Sequence, residues 1–295
     1  MQFIHLHRSE HPVHRLCRAV ELPRSAYYRW AARRSQEADD EVAPDATITQ
    51  LIIQRFYFHK RRYGTRRMVA ELADLGYPVG RDRVRAVYRQ FDLRAIQPRS
   101  FVPRTTQPHP NRRRSPNLLL DSPLPRGMDR LWVGDITYLP LLEPGKFCYL
   151  ATLQDSYSRT IVGYAVADHM REELTLSALN QALDRRRPAA GLIVHTDGGG
   201  QYASVAYRDR LARSGYRSSM TRRDNHYDNA QAESFFSRLK AELLEGGRRR
   251  LRDLAEARRE CFAYIEGYYN TVRRHSALGY LSPLNFERTL SGNGS

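Results

Sequence analysis

Three carboxylates stand where an acid needs a reason. Asp135 lies inside the apolar, β-branched run LWVGDITYLP (131–140), Asp197 closes GLIVHTD (191–197), and Glu233 falls within DNAQAESFFSRLK (228–240). A buried strand rarely contains an aspartate unless the acid is paired or ligates a metal. Gly198-Gly199-Gly200 follow Asp197; they predict a tight backbone turn with room for a bulky substrate. If adjacent strands and a helix edge bring the three acids together, their repulsion calls for cations. Hard oxygen ligands suit Mg²⁺ or Mn²⁺. Two such ions about 3.5–4 Å apart activate a nucleophile and stabilise the leaving oxygen in phosphoryl transfer. Spacing alone leaves a second reading open, in which the three acids are unrelated residues at strand ends and on a helix.

The elements that would carry these acids can be read from residue 131 onward. RLWVGDITYLPLL, KFCYLATLQD and TIVGYAVAD are strand-like runs with short gaps suited to an antiparallel meander. REELTLSALNQALDRRR predicts an amphipathic helix, GLIVHTD a fourth strand, SVAYRDRLARSG a second helix and YRSSM a short fifth strand. The alternation predicts a mixed α/β sheet with helices on its faces. In the next helix, Ala232, Phe236, Leu239 and Leu243 share one stripe, with Glu233, Ser237 and Lys240 along its edge. That stripe would pin the helix to the sheet and turn Glu233 toward Asp135 and Asp197, with Lys240 about 10 Å further along. LRDLAEARRECFAYIEGYYNTVRRHSALGYLSPLNFE then predicts a long aromatic-rich helix and a short tail.

The first part of the chain has a different character. The formal net charge is +16, almost all of it from arginine, because the lysines are only Lys60, Lys146 and Lys240. Residues 1–130 hold 25 Lys/Arg against 13 Asp/Glu, whereas the remainder holds 23 against 19. This asymmetry points to a polyanionic partner, most simply nucleic acid. PVHRLCRAV and RSAYYRWAARR, joined at ELP, predict a helix-turn-helix with Tyr27 and Trp30 on one side. In MVAELADLGYPVGRDRVRAVYRQF a helix ends at Gly76 and another starts near Arg81. Val84, Val87, Tyr88 and Phe91 face a core there, and Arg81, Arg85 and Arg89 line an adjacent stripe. Such a helix suits the DNA major groove, although a solvated arginine face has the same pattern. HKRRYGTRR (59–67), with Arg61, Arg62, Arg66 and Arg67, reads as a phosphate clamp. Residues 95–130 hold seven of the fifteen prolines together with Arg112, Arg113 and Arg114, which predicts an extended basic linker.

Several classes are excluded. Cys17, Cys148 and Cys261 are too scattered for a disulfide framework or a four-cysteine zinc site, which fits a reducing cytosol. His5, His7, His11 and His14 with Cys17 lack the second cysteine that a His-His-Cys-Cys zinc set needs. No apolar run approaches the roughly 20 residues of a membrane span, and no signal peptide opens the sequence. Asp155, ahead of a Ser-Arg turn, reads as a turn cap and not as a fourth catalytic acid.

The spacing and the words around the acids carry a resemblance. Asp197 and Glu233 are separated by 35 residues, and Lys240 follows Glu233 by seven. With Asp135 this is similar to the DD(35)E pattern of retroviral integrases and many bacterial transposases. LWVGDITYLP, DSYSRTIVGYAV, HTDGGGQY, DNAQAESFFSRLK and YIEGYYNTVRRHSALGYLSP resemble the OrfB transposase of the insertion sequence 3 family, as do HRSEHPVHRLCRAVELPRSAYYRW and RRYGTRRMVAEL. The resemblance covers nearly the whole chain. It implies a ribonuclease-H-like α/β catalytic core with a mixed five-stranded sheet over residues 129–246. Before it would come all-α helix-turn-helix modules at 1–40 and 45–94 and a linker at 95–128; after it, a helical extension at 247–295. Asp135, Asp197 and Glu233 would bind two Mg²⁺ ions, with Mn²⁺ able to substitute. Lys240 would contact DNA near the scissile end, and His195, Tyr202 and Asn229 would shape the site. The implied activity is 3′-end cleavage and strand transfer of an insertion sequence, through a circular intermediate, in the cytoplasm of a prokaryote at the nucleoid. Its partners would be double-stranded DNA (terminal inverted repeats and target) and further copies of the chain on paired ends. The family usually adds an upstream-frame product with a leucine zipper; no sustained heptads occur here, so an upstream partner or fusion segment is expected. Where the family usually has Gly-Asn before DNA, this chain has Asp224-Asn225. The competing expectation is a non-catalytic regulator that occupies element ends; it would be marked by loss of a triad acid, and none is lost.

Overall fold

The protein is described by a computed structural model covering residues 1, 4–5, 7–8, 11–20, 22–39, 46–97, 115–120, 125–222 and 229–292. Two compact units result, Met1–Arg94 and Ala95–Ser295. Arg112, Arg113 and Arg114, most of the expected linker, and Asp224-Asn225 lie outside the described residues. Among the described residues no helix is long and apolar enough to cross a membrane.

In the first unit, α1 (Val13–Ala19) and α2 (Arg24–Asp39) close over Ile4, Leu16, Cys17 and Tyr27, with Trp30 packed alongside. Three further helices follow, α3 (Ala46–Phe58), α4 (Thr65–Asp74) and α5 (Arg81–Gln90). They bury Ile52, Phe56, Met68, Leu72, Val84 and Val87. α4 stops through Gly76 at φ +84, with the Tyr77 N–H reaching the Leu72 carbonyl at 2.8 Å, a Schellman-type ending that only a left-handed residue permits. On α5 the apolar stripe is shorter than its periodicity predicts. The helix ends at Gln90, so Phe91 is a cap residue and 43% exposed. Asp92 takes a positive φ and Leu93 turns in to fill the core in its place.

In the second unit β1 (Leu131–Pro140), β2 (Phe147–Asp155) and β3 (Ile161–Ala167) form the expected antiparallel meander. β4 (Ile193–Thr196) and β5 (Arg217–Met220) add in parallel on the other side of β1, giving the order β3-β2-β1-β4-β5. This is a mixed five-stranded sheet with β1 at its centre, the ribonuclease-H-like arrangement. α6 (Glu172–Arg186) and α7 (Val205–Arg213) connect the parallel strands. They bury Leu179, Ala182, Leu183, Tyr207 and Leu211 with Trp132, Leu153 and Val194. α8 (Ala230–Leu243) carries Glu233, and its Ala232 packs with Leu131, Val133 and Ile193.

The chain beyond α8 is not a single long helix with a loose tail. α9 (Leu254–Tyr264) is capped by Asp253 and runs into a π turn, Ile265–Tyr269. The chain then folds back through a short 3₁₀ turn to α10 (Pro283–Gly292). This segment is fastened to the core by buried polar bonds. The Asn270 side chain accepts from the Ile161 N–H and donates to the Ile161 carbonyl. Arg273 and Glu242 pair at 2.6 Å with 1% and 7% of their side chains exposed, and the Tyr264 hydroxyl donates to the same carboxylate. Arg186 bridges Asp129 and Glu287, while Glu287 also accepts from Ser158 and Thr160.

Candidate active site

Strand register brings the two aspartates together. β1 and β4 run parallel with Gly134 opposite Thr196, so the next residues, Asp135 and Asp197, stand side by side. Asp135 sits within β1 and Asp197 just past the end of β4. Two glycines make this approach possible. A Cβ on Gly134 would stand 2.8 Å from Leu153 and 3.1 Å from Thr196. A Cβ on Gly199 would come within 3.0 Å of the Asp197 carboxylate, which instead accepts a hydrogen bond from the Gly199 N–H. Gly199 supplies space at the turn that follows Asp197, where the Tyr202 N–H returns to the Gly199 carbonyl at 3.1 Å.

Asp135 is half-buried, and one carboxylate oxygen accepts from the Ile136 N–H at 2.8 Å. Burial, followed by the neighbouring charge of Asp197, pushes its pKa well above the usual carboxylate range. The Ile136 N–H opposes this, Glu233 adds to the rise, and Lys240 offsets part of it. Asp197 and Glu233 are therefore both within electrostatic reach of Asp135. The three acids remain neighbours and not a closed ligand set: among the described residues no three His, Cys, Asp or Glu side chains converge on one ion position. Glu233 departs from its expected placement. It is exposed, not turned in from water, because it lies in the first turn of α8 beyond the stripe that Ala232 buries, where a negative charge is favoured by the helix dipole. The donor set nevertheless fits a divalent cation. Its members are carboxylate oxygens whose charges destabilise one another, and a cation would remove that penalty.

Lys240 is half-buried with its ammonium 4.1 Å from the centre of the Tyr138 ring. Burial lowers its pKa and Asp135 works in the other direction. The three residues expected to shape the site differ in what they do. Asn229, at the start of α8, donates to the Gly134 carbonyl at 3.2 Å, beside Asp135. Tyr202 is buried edge-on to Tyr207; burial first, then Tyr207, Asp135 and Asp197, drive its hydroxyl pKa well above normal. His195 is fully buried within β4, with Nδ1 2.8 Å from the Ser219 hydroxyl of β5. It fastens two strands together. Asp155 is the turn cap that its context suggests, accepting from the N–H groups of Asp129, Tyr157 and Ser158.

In the first unit Arg61, Arg66, Arg81 and Arg89 are exposed, and Arg62, Arg67 and Arg85 half-buried. Arg85 pairs with Asp82 at 2.5 Å. The basic cluster is smaller than its sequence suggests. His59 is fully buried, stacked on Tyr63 at 3.7 Å and bonded to Glu71, so it belongs to the core. Sequence reasoning also passed over Gln154, Gln231 and Tyr138. A glutamine inside the apolar run ATLQD was a usable signal, because a buried amide needs partners.

Comparison with known proteins agrees with this architecture. Residues 125–226 and 214–283 match two models described as integrase core domain, and residues 44–101 match an HTH-like domain. The chain is 40% identical over 271 residues to an insertion element IS600 uncharacterized 31 kDa protein of Shigella sonnei, covering 92% of this chain and 97% of that protein. It is 38% identical over 285 residues to transposase InsF for insertion sequence IS3A of Escherichia coli, covering 97% of each. Among solved structures, the simian T-cell lymphotropic virus intasome in complex with PP2A regulatory subunit B56 gamma is 15% identical with a TM-score of 0.44, covering 74% of this chain and 69% of that one. The HTLV-2 integrase catalytic core domain in complex with magnesium, in its dimeric form, is 16% identical with a TM-score of 0.39, covering 55% of this chain and 98% of that one.

Proposed function

The chain belongs to the transposase family of insertion sequence 3, and on that premise we propose that it cleaves the 3′ ends of its element and joins them to another DNA. The reading is supported chiefly by one observation: Asp135, on the central strand, stands beside Asp197 in the β1–β4 register and within reach of the Glu233 charge, with the Ile136 N–H and Lys240 opposing them. Those three acids would hold two Mg²⁺ ions, or Mn²⁺ in their place. When bound, the ions supply Lewis-acid activation of the attacking oxygen and neutralise the leaving one.

The chain's own residues divide the remaining work. Asp135 and Asp197 follow the last paired residues of the β1–β4 register, Gly134 and Thr196, and Gly199 leaves the Asp197 carboxylate uncrowded. Lys240 presents a cation one side of which is sheltered by Tyr138; it would hold a phosphate next to the scissile bond. Two displacements follow in order. Water forms a bond to phosphorus as the bond to the element's 3′ oxygen breaks, which leaves a 3′-OH. That 3′-OH then attacks a second phosphodiester, whose own oxygen departs.

Arg61, Arg62, Arg66, Arg67, Arg81, Arg85 and Arg89 would contact the DNA backbone and major groove, together with Arg112, Arg113 and Arg114 of the linker. Affinity for end DNA should therefore fall steeply with salt, as phosphate contacts release counterions; a flat response removes these residues from the interface. Holding two ends calls for two or more copies of the chain, with an upstream-frame product or fusion as a further partner. The place of action would be the cytoplasm, on the nucleoid of a prokaryote.

The experiment supplies end DNA, target DNA and Mg²⁺ to the full chain and to its fusion with the upstream product, and looks for joined strands. Joining that is lost in Asp135→Asn and Glu233→Gln supports the reading. Joining that survives either substitution overturns the triad. Tight end binding with no cleavage or joining by any form overturns the enzymatic reading in favour of an end-occupying regulator.

A further inference from the structure

Glu233 is exposed, and among the described residues its carboxylate makes no hydrogen bond or ion pair. Its position is therefore set by whatever fixes the first turn of α8. Asn229 provides one attachment, to β1. Gln231 provides a second. Its Nε2 donates to Gln154 Oε1 at 3.1 Å, and its Oε1 accepts from the Ser156 hydroxyl at 3.0 Å. Gln154 is buried in β2, and its Nε2 donates to the Arg159 carbonyl and to the Tyr269 hydroxyl, each at 2.9 Å. The Arg159 carbonyl can only accept, so it fixes which end of the Gln154 amide is the donor. The direction of the remaining bonds follows from that.

Tyr269 is the last residue of the π turn that ends α9. A π turn inserts one residue into the helical repeat and so shifts the phase of the side chains after it. The shift gives Tyr269 two contacts with one face of α8. Its ring meets Phe235 edge-on, with centroids 4.8 Å apart, and its hydroxyl reaches Gln231 through Gln154. Gln231 and Phe235 are four residues apart and share a face of α8. Glu233, two residues from Gln231, lies about 200° round the helix from it. A grip on the Gln231–Phe235 face therefore sets the rotation of α8 about its axis, and with it the direction in which Glu233 points.

We infer that Tyr269, Gln154 and Gln231 are positioning residues, a relay through which the carboxy-terminal segment aims Glu233 at the divalent-cation site. The inference rests on the proposed function, because it takes Glu233 to be a ligand. The relay accounts for a buried amide in β2 and for the π turn, neither of which packing alone requires.

The test uses the full chain and Mn²⁺ as the probe. Tyr269→Phe removes the hydroxyl and keeps the ring on Phe235; Gln231→Leu breaks the same relay without touching the tail. Each should raise the Mn²⁺ concentration for half-saturation about tenfold, the lower end of what outer partners of a metal ligand contribute. The double variant should be no worse than the worse single one, as for members of one network. Amide hydrogen exchange should quicken in residues 230–234 of Tyr269→Phe while α9 and α10 stay protected. Both variants binding Mn²⁺ as the parent does, or showing additive losses with faster exchange throughout the tail, would overturn the relay. Failure of the premise looks different: the parent chain itself then shows no Mn²⁺ binding that Asp135→Asn abolishes.

Discussion

The second unit holds its buried charges in two contrasting ways. Where the tail meets the core, two ion-pair clusters match each acid with an arginine. Arg273 faces Glu242, and Arg186 lies between Asp129 and Glu287, with hydroxyls from Tyr264, Ser158 and Thr160 completing the carboxylates' bonding. At the carboxyl end of β4 the charges are alike. Asp135 is pushed up by burial, Asp197 and Glu233; the Ile136 N–H and Lys240, itself drawn toward Tyr138, oppose them. Compensated ions hold a structure together; carboxylates gathered beside one another raise each other's cost of ionisation, which a bound divalent cation would relieve. On α8 alone, Glu242 is an acid that serves the fold, and Glu233 is one proposed to serve chemistry.

The contrast can be broken at its strongest point first. Asp135→Asn should reduce strand joining on the order of 10³-fold, the scale of losing a charge-stabilising group at a reacting centre. Its thermal midpoint in metal-free buffer should stay level or rise, because the substitution removes a charge that its surroundings disfavour. A clear drop in the midpoint would place Asp135 among the structural acids. Arg273→Met should show the converse. It leaves Glu242 buried and unpaired, at a cost of about 3–5 kcal/mol, which lowers the midpoint by roughly 10 °C in a unit of this size. The paired replacement Arg273→Met with Glu242→Leu should recover much of that loss, since an apolar pair of similar volume avoids the desolvation of both charges. No recovery would mean that the pair holds more than its own charges in place.

Smaller effects sharpen the same division. Burial pushes the Glu287 carboxyl up, but hydrogen bonds and charge from Arg186, with Ser158 and Thr160, outweigh it and hold the pKa below its usual value. A depressed carboxylate pKa stabilises the fold above the unfolded-state pKa, about 4.3, and that contribution is lost as pH falls through the folded-state value. Glu287→Gln should therefore lower the unfolding free energy read from urea titration at pH 7 by about 1 kcal/mol, as for a partly buried pair. The difference from the parent should shrink as the pH is lowered below about 4. A difference independent of pH would assign the effect to packing. Gly199→Ala should perturb stability least and function measurably, because its Cβ would press on the Asp197 carboxylate at 3.0 Å. Weaker Mn²⁺ binding with an unchanged midpoint is the expected result, and unchanged binding would show that the loop gives way.

How far the sequence announced these features depends on the range over which each is encoded. Asp135 and Asp197 were legible as acids at strand positions, but spacing alone left open whether they are neighbours; only the resemblance joined them, and the β1–β4 register brings them side by side. The stripe on α8 was legible in part. Ala232, Phe236, Leu239 and Leu243 are all buried as their spacing requires, but Phe235 is buried too, because the tail covers a second face that helical periodicity cannot foresee. Nothing in the sequence marks Glu242 as buried; its partner Arg273 is 31 residues later and beyond a π turn, and no local period links the two. His59 was misassigned for the same reason, since a histidine among arginines reads as charge until Glu71 and Tyr63 are seen to enclose it. The exposure of Glu233 is a matter of one turn of helix, finer than the amphipathic pattern resolves.

The claim underlying all of this is that the acid edge is incomplete without a divalent cation. The most direct measurement is the thermal midpoint of the full chain with and without Mg²⁺, for the parent and Asp135→Asn side by side. At a concentration about 100-fold above its dissociation constant, a ligand specific to the folded state adds about 2.7 kcal/mol, which corresponds to a rise of roughly 5–10 °C. That rise is predicted for the parent and should be absent in Asp135→Asn. Equal rises in both, or none in the parent, would contradict the account.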